Sequence, residues 1–502
     1  MPRLLDCPTE VLLLVAPYLP AIDKASLVRV CKTLHEIAEP TLYHEISMEW
    51  IGTYYTDNGV YNAAVVPPIH LLLLRTLACP RLAKLVKSVR FCGTKFYSLW
   101  YSAATSKLNI DDSKRLTDLV KSSGFAASYR TCALNIRASK DDEEEPWVPY
   151  IMEGDVDIYQ ALFLSRLPDI TYLHIGFDSN MGFRYISATL HQALCYNTKS
   201  PGCSSFSSLL RVDLYAGMFF RDLAIVYYQT EAFSICINEF LPFFYLPKLQ
   251  EFRVAMPDGL EFSWPTIPPC ASALKILRLQ RSHVEVDVLE KLLLVTPYLQ
   301  ILEYDFCCQL RCSNRSSPQY LNGNHLDKAL ALVKATLKIL RISVHFYYVT
   351  GDSYHEDHYR EFGITGIIHS LKDFQTLNEV ELPFALLLGP SSKASPLVSA
   401  ELPPNVESLV FRDDLALCQA YPWKSEQFLE CLPTYSSFWS THNTKLAILG
   451  LNLNESHDDW DEGALSAFST QCHSMHTTPK FHKEPWDCSV PGTPVFAADR
   501  FK

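Results

Sequence analysis

The most regular feature of this chain is an apolar spacing, Φ-x-x-Φ-x-x-Φ-x-Φ, that recurs between residues 160 and 455. It reads Leu167/Ile170/Leu173/Ile175, Phe206/Leu209/Val212/Leu214 and Leu246/Leu249/Phe252/Val254. It continues as Ala271/Leu274/Leu277/Leu279, Thr296/Leu299/Leu302/Tyr304, Leu337/Leu340/Ile342 and Phe374/Leu377/Val380/Leu382. Val406/Leu409/Phe411 and Leu446/Leu449/Leu451 close the series. Apolar residues two apart share one face of an extended segment, so each occurrence predicts a short strand. Helical spacing between the strands predicts helices over 157–165, 231–241, 286–295, 325–336 and 362–371. Residues 69–77 and 113–121 predict earlier helices, and Val86/Val89/Phe91 a first strand. Such alternation predicts an α/β fold of short parallel strands with a helical outer wall.

The final apolar residues lie 25 positions apart at the closest (Val254 to Leu279) and 40 at the widest (Leu214 to Val254). The short steps suit the period of a leucine-rich repeat. The long ones need insertions, for which the acidic run 140–146 and the polar stretches 307–324, 348–361 and 389–404 are candidates. The expectation is a degenerate leucine-rich-repeat solenoid over 65–455, with an irregular tail or C-terminal cap over 456–502. A non-repetitive α/β domain is the competing reading. Between the last two apolar positions stand His174, Asp213, Arg253, Arg278, Glu303, Arg341, Glu381, Val410 and Gly450, expected to face solvent. Arg253, Arg278 and Arg281, with Glu303 and Arg341, are therefore candidate target contacts, the arginines suiting a carboxylate or a phosphorylated segment.

Residues 1–46 carry a different pattern. Thr9 can cap a helix bearing Val11, Leu12, Val15 and Leu19, broken by Pro17 and Pro20. Asp23 can cap a second helix over 24–39 bearing Leu27, Val30, Cys31, Leu34 and Ile37, which Pro40 should stop. Leu42, Tyr43 and Ile46 then read as a closing segment. So small a unit has more apolar residue than interior, so part of it should be shared with a partner.

The order LLDCPTEVLLLVAPYLP…LVRVCKTLHEIAEPTLYHEI resembles an F-box as found in fungal F-box proteins. The likeness rests on Leu5-Asp-Cys-Pro8, Glu10 with the apolar residues after it, Leu19-Pro20 and the stretch from Leu27 to Leu34. Cys7 stands where the family often has Leu. The resemblance implies a three-helix module that docks on the Skp-type adaptor of SCF ubiquitin ligases, and through it on a cullin scaffold. By position the implied contacts are Leu5, Pro8, Leu12, Leu19, Leu27, Val30, Cys31 and Leu34. It also implies a non-catalytic substrate receptor with an unknown target protein. The alternative is an F-box and repeat protein acting outside ubiquitination.

Charge and composition narrow the field. The 44 basic residues set against 55 acidic ones leave a net charge of −11, which disfavours nucleic acid and anionic membranes as partners. Asp6 and Glu10 interrupt the N-terminal apolar run, and no stretch is long and apolar enough to span a bilayer. The 16 cysteines are scattered, with no C-x-x-C pair, so reduced thiols and a cytoplasmic or nuclear location are expected. Phosphate-binding loops, nucleophile elbows and zincin helices are absent from the sequence, so no enzyme, metal or cofactor is expected. His355/His358 and Cys307/Cys308/Cys312 lack the further ligands a zinc ion needs.

Overall fold

The computed structural model describes residues 7–51, 67–94, 156–177, 184–195, 204–216, 236–257, 262–310, 320–348, 363–389, 402–415, 423–442, 445–454 and 460–484, with Lys114 and Asp118. The helix expected over 113–121 otherwise lies outside these residues. The chain is mixed α/β with parallel strand pairing, and it divides into two compact units: Met1–Ala216 with Glu239–Leu249, and Gly217–Asn238 with Gln250–Lys502.

The first unit opens with three helices, α1 (Thr9–Val15), α2 (Ala21–Leu27) and α3 (Lys32–His44). Pro8 rather than Thr9 stands at the N-cap of α1. The second helix expected over 24–39 is in fact two, with Cys31 extended at the start of α3. Pro40 does not stop α3; it sits exposed inside it, while Ile37, Ala38 and Glu39 are buried and hold the helix in place. Burial outweighs the one backbone hydrogen bond that proline removes.

Strand β1 (Glu45–Ile51) follows α3 without a linker, and the apolar spacing gave no sign of it. Helices α4 (Ile69–Ala78) and α5 (Pro80–Leu85) lead to β2 (Ser88–Thr94). Helix Val156–Leu164, strand β3 (Tyr172–Phe177), helix Arg184–Cys195 and strand β4 (Arg211–Ala216) complete the alternation. The four strands pair in parallel in chain order, aligning Val89 with Leu173 and Val212, and Phe91 with Ile175 and Leu214. Those six side chains are buried as one face of the sheet. The helix expected over 231–241 is not formed within its described part; 3₁₀ turns at Ile237–Glu239 and Leu241–Tyr245 stand there, with Pro242 at the start of the second.

In the second unit β5 (Glu251–Val254), β6 (Ile276–Ser282) and β7 (Ile301–Leu310) pair in parallel. Short strands β8 (Tyr320–Asn322) and β10 (Gly363–Thr365) pair separately with each other. The main ladder goes on from β7 through β9 (Ile339–Tyr348), β11 (Glu379–Pro383), β12 (Ser408–Arg412), β13 (Ile448–Asn454) and β14 (Thr478–Glu484). One buried apolar row runs Phe252, Leu277, Leu302, Leu340, Val380, Leu409 and Leu449. Helices Val286–Leu294 and Gly323–Ala331 pack on each other, as do Ser425–His442 and Glu462–Ser474. Phe384, Phe411, Phe428, Trp439 and Trp460 fill the interior near β11 and β12. The helix expected over 362–371 is replaced by β10, a turn at Gly366 (φ +68°) and a 3₁₀ turn at Ser370–Asp373. A left-handed residue inside that stretch rules out a helix.

All nine strands expected from the spacing are present, and eight of them begin alike. The Lys87 carbonyl accepts the N–H groups of Thr171 and Tyr172, and Gln250 accepts those of Lys275 and Ile276. Lys275, Gln300, Lys338, Asn378 and Glu407 each do the same for the strand that follows.

Candidate interaction surfaces

The charged row expected on the outside of the second unit is largely buried, which corrects the expectation of solvent exposure. Arg278 is 7% exposed, Glu303 0% and Glu381 6%. The cause is the register, which sets Arg278 against Glu303, Glu303 against Arg341 and Arg341 against Glu381. Parallel strands about 4.8 Å apart let one carboxylate serve two neighbours. Arg278 donates to Glu251 (3.2 Å) and to Glu303, and Arg341 to Glu303 (2.7 Å) and Glu379 (3.4 Å). Further along, Arg412 donates to Glu381 and to Asp414 (3.0 Å), and the Asn452 amide donates to Glu381 (3.0 Å). Opposite charges paired this closely satisfy each other away from water. Arg278 and Glu303 thus face each other and Arg341 rather than open solvent. Arg253 and Arg281 remain half-buried, Arg281 with φ +45° where the β6–β7 register shifts. Sequence reasoning missed Glu251, Glu379, Arg412 and Asn452, which stand one pleat away from the row it followed, and Asp414, just past the end of β12.

The first unit holds a smaller cluster. The Tyr172 hydroxyl (2.8 Å) and Arg211 (2.9 Å) donate to Asp213, and the Arg211 guanidinium lies 5.2 Å over the Tyr172 ring. His174 Nδ1 stands 3.9 Å from the same carboxylate. Burial alone would raise the Asp213 pKa, but His174, Arg211 and Tyr172 outweigh it and hold the carboxyl well below the usual range. Burial disfavours protonated His174, yet Asp213 and Cys92 together raise its pKa. Burial first, then Asp213, pushes the Tyr172 hydroxyl far up.

The N-terminal helices invert the usual distribution. Leu12, Ala16, Leu34 and Ile37 form their interior, with Leu27 and Cys31 packed partly buried against it. Leu12 and Leu34, implied as partner contacts, are therefore core residues; an i, i+4 pair such as Leu12 and Ala16 faces one way. Leu19 is half-buried, Pro8 and Val30 are exposed, and Leu5 lies outside the described residues. Exposed apolar side chains are found instead at Leu13 (50%), Leu14 (72%), Tyr18 (89%), Ile22 (79%) and Val30 (64%), beside Val11 and Val15. Only Val30 among those five belonged to the implied set. The signal was legible: α1 is apolar all round in Val11–Val15, and a short helix can bury only one side.

Residues 4–49 match the F-box-like family model. The match spans α1 to α3 and the first residues of β1, and no curated protein matches the chain. The F-box-like domain is tied to the rest of its unit. Glu39 of α3 is buried and pairs with Arg81 of α5, whose pKa it raises, and with His35 Nε2 at 3.3 Å. Among the described residues no group of three or more His, Cys, Asp or Glu could hold a metal ion, and no helix is long and apolar enough to cross a membrane.

Proposed function

We propose that this protein is the substrate-recognition subunit of an SCF-type ubiquitin ligase. The observation that carries the reading is the exposed apolar set at Leu13, Leu14, Tyr18 and Ile22 on a domain that matches the F-box-like family. Exposed apolar area concentrated on one small unit marks a protein partner, here a Skp-type adaptor and through it a cullin scaffold. The sheet-bearing remainder, read as an irregular leucine-rich-repeat solenoid of fungal type, holds the target protein. Its repeated strand start, with one carbonyl accepting two successive N–H groups, supports the repeat reading. The protein does no chemistry itself. It raises the effective concentration of a target lysine near a ubiquitin-loaded enzyme, in the cytoplasm or nucleus, so that the target is degraded.

Co-expression with a Skp-type adaptor, followed by size-exclusion chromatography, tests the docking half. Leu12 is the wrong position to perturb, because a charge there would break the helical core. The double variant Leu14→Asp/Ile22→Asp keeps that core, so it should elute as a folded chain that has lost the adaptor. A well-folded wild-type chain that forms no complex would overturn the reading.

A further inference from the structure

Three adjacent strands of the second unit leave polar atoms unmet on one face. Arg253 Nε on β5, Gln280 Nε2 on β6 and Glu303 Oε2 on β7 are shielded from solvent, and none has a hydrogen-bond partner among the described residues. In the register Arg253 stands beside Arg278 and Arg278 beside Glu303, so this row crosses all three strands. Gln280 lies one pleat further along β6, at the start of the register shift that holds Arg281 at φ +45°. Bulges of this kind re-aim side chains and recur next to functional sites. Gln280 is 3% exposed and Glu303 0%, while half-buried Arg253 marks the side nearest solvent.

The missing partner's chemistry follows from the atoms themselves. Two donate and one accepts, so the partner must do both. A phosphomonoester dianion offers acceptors only and would meet Glu303 together with Glu251. An ammonium offers donors only; it would leave Arg253 and Gln280 unmet beside Arg278. A carboxamide supplies both functions: its C=O accepts from Arg253 and Gln280, and its N–H donates to Glu303. We propose that this face of β5–β7 is a carboxamide-binding site, filled by an Asn or Gln side chain or a peptide-backbone group of the target. This deepens the proposed function by naming what the target presents, and it replaces the expectation of a phosphorylated segment.

The test uses the full-length chain labelled with ¹⁵N at Gln and Arg, titrated with acetamide as side-chain probe and N-methylacetamide as backbone probe. Saturable shifts of the Gln280 NH₂ and Arg253 Nε resonances are expected from at least one amide. Half-saturation should fall at roughly 10–100 mM, the range for so small a ligand. The tighter of the two identifies the source, and Gln280→Ala should abolish the response at Arg253. If that variant does not fold, competition between the two amides on the wild type decides. Inorganic phosphate shifting the same resonances more strongly than either amide would overturn the proposal. So would a single bound water that meets all three atoms and that neither amide displaces. Adaptor docking does not enter this measurement, so its failure and that of the ligase reading are separately visible.

Discussion

The F-box-like helices and the β5–β13 ladder break the same rule in opposite directions. In the helices, leucine, isoleucine and tyrosine stand in water while the interior holds four residues, Leu12, Ala16, Leu34 and Ile37. In the ladder, arginine and glutamate are buried and the apolar residues fill the opposite face. The difference lies in what each group can find within its own chain. A carboxylate on one strand has a guanidinium in register on the next, so charge can leave water without a partner protein. A seven-residue helix that is apolar on every side has no such neighbour for its outer face, and its surplus stays exposed until something covers it. Buried charge here reports an internal debt already met, whereas exposed leucine reports one still open.

Removing the centre of the ladder should have the largest effect. Glu303→Leu leaves Arg278 and Arg341 without their shared carboxylate, and should lower stability by about 3–5 kcal/mol in urea unfolding. The triple variant Arg278→Met/Glu303→Leu/Arg341→Met should recover most of that loss, because apolar residues of similar volume need no counter-charge. A triple variant as unstable as the single one would mean that the ladder contributes more than mutual neutralisation.

Next come the helices, where burial predicts opposite outcomes for two leucines. Leu34→Ala should cost about 2–5 kcal/mol, by loss of buried area and the cavity left behind. Leu14→Ala should change stability by less than about 0.5 kcal/mol and weaken adaptor binding instead. Thermal melts and binding isotherms of the two variants would separate core from docking face. Equal melting losses would erase the distinction.

The smallest effect is the pH response of the Asp213 cluster. Asp213 has a depressed folded pKa, so its contribution is present above an unfolded value of about 3.9 and lost as pH falls below it. His174 has a raised one, so its contribution is present below about 6.5 and fades as pH rises through the higher folded value. The cluster should therefore stabilise most between about pH 4 and 6.5. In Asp213→Asn the His174 imidazole should titrate lower, and the melting temperature should vary less as pH falls below about 4 or rises above about 6.5. An unchanged His174 titration would show that Asp213 is not what raises it.

Much of the architecture was legible because apolar spacing is a local code. Leu277 and Leu279 must share a face of any strand they form, whatever lies elsewhere. The same code failed at 231–241 and 362–371, where Pro242 and the left-handed Gly366 favour tight turns over a helix. It also missed β1, whose strand state comes from pairing with β2 at Glu45–Ser88 through Ile51–Thr94. At the sites the limit was different. The resemblance located the F-box-like module, but which leucines form its own core depends on how α1 and α3 meet.

The sequence by itself determined the α/β alternation, the nine strand positions and the F-box-like module, because each is written in residues close together along the chain. Only the tertiary structure decided the fate of individual side chains. It put Leu12 inside and Leu14 outside, placed Glu303 between two arginines 25 and 38 residues away, and left Gln280 Nε2 without a hydrogen-bond partner. Burial and charge pairing are set by neighbours across strands and helices, and those neighbours are fixed by register and packing rather than by local sequence.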